Sequence, residues 1–429
     1  SFEGQGTSLV VDEGFAAGEP SRPVSEYRVA VDVDLDGDGL SVAYERESLA
    51  MVPGAKTAYR EIAAGDRGYL LGNELVFGAA PDYVGAPMSP ARRAAMRKEQ
   101  RLLNPTLLLR GLGEGDVRDA GLRVLGGRPH HQLVIADPAG AHELTLLVDA
   151  TTGLIGGLST LESDPLRGDV VLEAAYEGWA FSGGLAWPRR VALSLGGQPV
   201  RVEERTRVEV NPELAPERFS LPADAGGGGE HDGAHADEGE RSAQHYQRFA
   251  ALGTAPFFDW PNTTVVGVEL GAGSGLYHLV GAGHHSLLVD QGESAVLVEA
   301  PLHAARSRAI LAWVDQHLAG GLERHPISHV IATHHHADHS AGLRTFVERG
   351  ARVVAAASSQ AFLAEAFAAP RTLDPDAGPA GPAAAPAFDA VAPGGTFRVG
   401  DVTAYQIASA HADDMLIVHV RRPDAPGFV

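Results

Sequence analysis

The sequence predicts an α+β protein of two domains. The first is a curved antiparallel β-sheet, an open half-barrel, with one helix; the second alternates strands with helices. Three observations predict this. A chain of 429 residues is too long for one ordinary core. Residues 20–220 alternate apolar and polar positions between turns rich in Gly, Pro and Asp, as an antiparallel meander does. From Thr263 onward, short apolar strands alternate with helical periodicities. The boundaries read as 1–222, a linker over 223–262, and 263–429.

In the first domain, Glu26 to Val33 and Leu40 to Arg46 alternate on either side of Asp36-Gly37-Asp38-Gly39, a hairpin signal. Asp34, Asp36, Asp38, Gly39 and Glu45 also have the spacing of an EF-hand calcium loop. Their flanks read as strands rather than helices, so an acidic hairpin is expected. Ser89 to about Leu103 reads as a helix, with Arg92, Arg93, Arg97, Lys98 and Arg101 on a solvated face. Strands follow at Gln132 to Ala136, Glu143 to Val148, Val170 to Tyr176, Arg190 to Leu195 and Val200 to Val210, with His130 and His131 as ordinary strand residues. Ala223 to Glu240 is rich in Gly, Glu and His and cannot bury enough surface to offset its ordering entropy. It reads as a flexible linker in which His231, His235 and His245 are solvated.

In the second domain, strands are expected at His285 to Val289, Ala295 to Glu299, Val330 to Ala332 and Val353 to Ala356, and further strands at Thr396 to Val399, Val402 to Ala408 and Met415 to Val420. Ile310, Leu311, Val314 and Leu318 lie on one helical face that Gly320-Gly321 ends. Ala341 to Arg349 reads as a second helix stopped by Gly350, and a third begins at Ser358 or Ser359 and ends before Pro370. Pro370 to Gly395 reads as a Pro/Ala-rich loop bordering a substrate cleft.

Composition excludes several function classes. The net charge of −21 repels polyphosphate, which argues against nucleic acid as a partner. No apolar run is long enough to make a transmembrane segment. There is no cysteine, so any metal must be held by His, Asp or Glu, and thiol nucleophiles are excluded.

Histidine is common, at 19 residues, and it clusters in Thr333-His334-His335-His336-Ala337-Asp338-His339-Ser340-Ala341-Gly342. This segment leaves a strand and enters a helix. In extended chain, residues two apart face one way, so His334 and His336 can address one cation while His335 points away. Asp338 and His339 come from the turn that follows and suit a second cation. Imidazole and carboxylate are the ligands zinc takes when thiolates are absent. A His-x-His-x-Asp-His match is expected on the order of once in five hundred random chains of this length; a surface histidine cluster is the bland alternative. His411, just after the strand Val402 to Ala408, is the candidate third ligand of the first ion. One of His284 and His285 is a candidate to line the cleft. His325 and His329 flank a buried strand and read as structural.

Thr333 to Gly342 resembles the signature of the metallo-β-lactamase superfamily, and Thr263 to Val429 resembles the order of its elements. The resemblance implies an αββα sandwich. It implies one metal on His334, His336 and His411, a second on Asp338 and His339, and a metal-bridging hydroxide that Asp338 helps to orient. In that family later strands supply a bridging aspartate and a last histidine. The chain stops at Val429, so the sandwich and the second site are expected to be incomplete, as in a fragment; Asp413 and Asp414 lie too close to His411 to substitute. Asp149-Ala150-Thr151-Thr152-Gly153, Gly168-Asp169, Leu185-Ala186-Trp187-Pro188, Val210 to Leu214 and Phe219 resemble the LolA/LolB-like lipoprotein-carrier fold. That implies a periplasmic or secreted bacterial protein.

The expected function is a zinc-dependent hydrolase, with one or two zinc ions. Its substrate would be a small-molecule ester, amide, lactone or phosphoester, with a hydrophobic or lipid-like one among the candidates. The alternatives are an iron-dependent redox member of the superfamily and a non-catalytic hydrophobic-ligand-binding protein with a remnant metal site.

Overall fold

A computed structural model describes residues 1–50, 52–73, 85–109, 117–136, 143–222, 245, 264–281, 283–373 and 386–421. The N-terminal part is a 13-stranded antiparallel sheet made of two meanders. One runs through β1 (Phe2–Val10), β2 (Arg22–Asp34), β3 (Gly39–Ser48), β4 (Lys56–Ala64), β5 (Arg67–Asn73) and β6 (Gly85–Pro87). The other contains β7 (Val117–Leu125), β8 (Arg128–Ala136), β9 (Glu143–Asp149), β10 (Ile155–Asp164) and β11 (Gly168–Glu177); a small hairpin, β12 (Ala180–Ser182) with β13 (Leu185–Trp187), precedes its last strands, β14 (Arg190–Leu195) and β15 (Gln198–Val208). They join where β1 pairs with β15, with Phe2 opposite Val208. β6 and β7 end the sheet, which is therefore open. β1 begins before the region in which alternation was recognised, yet it lies at the centre.

The hairpin β2–β3 puts Asp34 opposite Gly39, and Asp34 Oδ1 accepts from the amides of Asp36 and Gly37 at 3.1 and 3.0 Å. The carboxylate at the first calcium-loop position thus closes its own turn, and Glu45 lies within β3.

Helix α1 (Pro90–Leu103), followed by the short α2 (Pro105–Leu109), is capped by Ser89, whose hydroxyl accepts from the Arg92 amide at 3.1 Å. Of its basic residues, Arg93, Arg97, Lys98 and Arg101 are half-buried, and Arg92 departs from the solvated face expected. Arg92 is buried and pairs with buried Glu61 at 2.8 Å. Across the same face, Arg201 pairs with Glu99 of α1, and Tyr27 donates to Glu203 at 3.2 Å. The physical reason is that β4 carries the buried carboxylate Glu61, which draws Arg92 inward. Charge spacing along a helix does not reveal what faces it.

His245 also departs from expectation. It is buried, with Nε2 3.0 Å from Asp164 and Nδ1 3.7 Å from Glu162. Two carboxylates at the end of β10 need a counter-charge, and His245, from the segment expected to be a linker, supplies it. His231, His235 and the rest of 223–263 lie outside the described residues.

The C-terminal part holds two sheets. In the seven-stranded sheet, β16 (Val266–Glu269), β17 (Leu276–Gly281), β18 (His284–Asp290) and β19 (Ala295–Val298) form an antiparallel meander; β20 (Ile327–Ile331), β21 (Arg352–Ala356) and β22 (Phe388–Val391) continue it in parallel. Strand β22 falls inside the segment expected to be a loop, and 374–385 lie outside the described residues. The second sheet is β23 (Thr396–Val399), β24 (Val402–Gln406) and β25 (Leu416–Val420), antiparallel. Val296, Val298, Ile331, Val354, Val402, Leu416 and Val418 pack between the sheets. Helices α3 (Ala304–His317), α4 (Gly321–Arg324), α5 (Ala337–Ser340), α6 (Leu343–Val347) and α7 (Gln360–Ala368) follow in sequence. Ile310, Val314, Phe346 and Leu363 of this set join the core with Leu297, Val330 and Val353. Among the described residues the order is helix, sheet, sheet, with helices on one side alone.

The two parts share one core: Val10, Val11 and Leu166 belong to the same cluster as Leu363 and Phe367. Polar contacts fix the junction. The Asp169 amide donates to the Pro370 carbonyl at 2.8 Å, and the Arg371 guanidinium donates to the carbonyls of Pro165 and Leu166 at 2.9 Å. Pro370 and Arg371, expected at a cleft, are instead part of this junction.

Candidate metal centre

The His-rich segment leaves the end of β20, a strand flanked on both sides by parallel neighbours. At that end the chain can leave the sheet and turn into α5 with its side chains grouped. A clasp from the chain after β19 holds the turn. The Ala300 amide donates to the His339 carbonyl at 3.1 Å, the Leu302 amide to Ala337 at 3.2 Å, and the Gly342 amide to Ala300 at 2.8 Å. Gly342 is required by this approach: a Cβ there would lie 2.3 Å from Ser307 Oγ and 2.9 Å from the Ala300 carbonyl.

Three histidines converge. His334 and His336 are buried and His411 is exposed. The Nε2 atoms of His334 and His411 are 3.2 Å apart, and the three residues each offer a ring nitrogen within 4.8 Å of the others. His334, Asp338 and His339 form a second such group. His335 points elsewhere, as the period of two requires: it is fully buried, with Nδ1 2.9 Å from Asp414 Oδ1. His325 binds Asp290 at 2.8 Å and His329 lies 3.5 Å from Asp389. The structure does not bring His284 or His285 to the cluster; His285 stacks on His278, ring centroids 5.0 Å apart.

Electrostatics separate the histidines. Burial, reinforced by the neighbouring rings, holds His334 far below the ordinary imidazole value. Burial lowers His336 to about 4 and also lowers His411. Neutral rings offer lone pairs. His339 goes the other way: burial acts downward, but the hydrogen bond and charge of Glu299 raise it to about 9.

Glu299 is a site residue that sequence reasoning missed. One oxygen accepts from the Thr333 amide at 3.1 Å and the other from His339 Nδ1 at 2.8 Å. His339 Nε2 is thereby turned toward Asp338, 3.7 Å away. Glu299 adopts left-handed backbone, φ 71°, uncommon for a non-glycine residue. The available signal was a lone carboxylate directly after the buried strand Ala295–Val298.

The donors fit a divalent cation such as zinc. Two ring nitrogens facing each other at 3.2 Å need a proton or a cation between them. Asp338 Oδ1 is buried with no hydrogen-bond partner, an orphan that an ion would satisfy.

Comparison with known proteins bears on this fold. Residues 279–425 match the family model described as the metallo-beta-lactamase superfamily. Over those residues the chain is similar to that superfamily. Among solved structures, a metallo-β-lactamase from Hirschia baltica is similar at 21% identity and TM-score 0.28, covering 37% of this chain and 67% of that one. Metallo-β-lactamase FIM-1 from Pseudomonas aeruginosa, in a mono-zinc form, is similar at 18% identity and TM-score 0.28, covering 37% of this chain and 65% of that one. A LolA superfamily protein from Nitrosomonas europaea is similar at 11% identity and TM-score 0.30, covering 52% of this chain and 90% of that one. No curated protein matches the chain. The matched residues contain the whole histidine cluster, His334 to His411.

Proposed function

We propose that this protein is a zinc-dependent hydrolase that adds water to an ester, amide, lactone or phosphoester. The observation that carries the proposal is the convergence of His334, His336 and His411 beside the orphaned carboxylate oxygen of Asp338. His334 Nε2, His336 Nδ1 and His411 Nε2 would hold the first ion, and Asp338 and His339 Nε2 would contribute to a second. Zinc bound there supplies Lewis-acid polarisation of the scissile oxygen and lowers the pKa of a water to about 7.

The chain's own residues prepare the chemistry. Asp338 aims an acceptor into the site, where it orients the attacking water. Glu299 fixes the His339 ring, so Nε2 needs no reorientation on binding. The buried pair His335–Asp414 anchors the segment between the ligands, because Asp414 lies three residues from His411. The Leu416 amide donates to the Thr333 carbonyl at 2.6 Å and links the second sheet to the same segment.

The test is metal analysis of the purified full chain, followed by assay against ester, amide, lactone and phosphodiester panels. Stoichiometric zinc, with hydrolysis lost in His334→Ala and His411→Ala, is the expected result. Stoichiometric iron without zinc would overturn it in favour of redox chemistry.

A further inference from the structure

The turn after β1 belongs to the N-terminal sheet, yet its Glu13 lies against the histidine cluster. Glu13 Oε2 is 3.2 Å from His336 Nδ1. Glu13, His336 and Asp338 each offer one ligand atom within 4.8 Å of the others.

The turn is held in this position from both sides. Asp12 is buried, in left-handed backbone at φ 59°, and pairs with Arg167 at 2.5 Å. The Gly14 carbonyl accepts from His336 Nε2 at 2.8 Å. The Phe15 carbonyl accepts from the Asp413 amide at 2.8 Å, two residues from His411, and the Phe15 amide donates to Glu19 at 2.8 Å. Both neighbours of Glu13 are thus tied down, one to the N-terminal sheet and one to the histidine cluster.

The hydrogen bond to Gly14 decides the tautomer. A carbonyl can only accept, so His336 Nε2 carries the ring proton. In the neutral ring Nδ1 then presents a lone pair to a carboxylate oxygen, and two acceptors at 3.2 Å repel unless a cation joins them. A metal ion would satisfy His336 Nδ1, Glu13 and the orphaned Asp338 oxygen together.

We propose that Glu13 is a ligand of the metal centre, a carboxylate that the N-terminal sheet supplies across the junction. This rests on the reading of His334, His336 and His411 as a metal-binding cluster. Metal then links the two parts of the chain, with Glu13 beside His336 and Asp338.

The experiment is cobalt(II) titration of the metal-stripped full chain, with affinity read by chelator competition and coordination by the visible ligand-field bands. Wild type, Glu13→Gln, Glu13→Ala and His334→Ala are compared, each checked by circular dichroism. Loss of a group that merely orients a metal-binding histidine costs about 10–100-fold in affinity. Loss of a direct ligand is expected at the upper end, about 100-fold, with altered band positions and intensities. Wild-type affinity and bands in both Glu13 variants would overturn the proposal. Weakened binding with unchanged bands would also overturn it, reducing Glu13 to a residue that positions His336. If wild type takes up no cobalt, or His334→Ala takes it up equally well, the cluster reading itself fails and the proposal falls with it.

Discussion

Glu299→Gln is the substitution that most sharply probes how the site is built. The side chain keeps its length and one carbonyl oxygen, so the 3.1 Å bond from the Thr333 amide can persist. What disappears is the negative charge facing His339 Nδ1 at 2.8 Å. That charge is what raises His339 to about 9 against the downward effect of burial. It also holds a proton on Nδ1, so that a cation displacing the other ring proton is met by Nε2. Removing such a partner costs about 10–100-fold in metal affinity, which is about 1.4–2.7 kcal/mol. Glu299→Ala adds a separate loss, because the half-buried Thr333 amide then loses its acceptor; a hydrogen bond of this kind is worth about 1 kcal/mol of stability. The expected pattern is weaker zinc binding in both variants, with metal-free stability near neutral pH lowered in both and lowered more in Glu299→Ala. Zinc affinity by chelator competition and urea unfolding of the metal-free protein measure the two effects. Zinc affinity in Glu299→Gln within twofold of wild type would refute the view that this carboxylate orients His339.

Two further predictions concern the N-terminal sheet. Glu61→Ala leaves the Arg92 charge buried without its carboxylate and is expected to cost about 3–5 kcal/mol, whereas Glu61→Leu with Arg92→Met should be near neutral; urea midpoints that coincide for the two would contradict this. For His245, burial acts downward, but Asp164 and Glu162 raise the ring from 6.5 to about 9. A raised pKa means that its stabilisation is complete below about pH 6.5 and is lost as pH rises through about 9. Asp164 and Glu162 are held down at about 2 against burial, Asp164 chiefly by His245 and Glu162 chiefly by Lys98, and they lose their contribution only as pH falls through that value. Unfolding of wild type and His245→Gln between about pH 6 and 10 should show the gap closing with rising pH; a constant gap would exclude the ion pairs as its cause.

What was legible in the sequence is what local geometry dictates. His334, His336, Asp338 and His339 lie within one strand-to-helix segment, where a period of two and a turn suffice to group them. The α+β class was also legible, because amphipathic periodicity is a property of short windows. Burial of charge was not. Arg92 looked solvated and His245 looked like linker, because the carboxylates that draw them inward lie on strands far away in sequence. Strand β1 was missed, although it joins the two meanders, since its place is decided by pairing with β15 some two hundred residues later. The same limit governs the site. The sequence by itself determined that a cluster of His and Asp donors exists and that no thiolate belongs to it. His411 was a candidate from its place after a strand, but tertiary structure alone decided which remote carboxylates face the cluster: Glu299 from the end of β19 and Glu13 from the other part of the chain. The reason is physical: ligand sets are assembled through space at distances of a few ångströms, and no local pattern records which distant carboxylate the fold will bring within that reach.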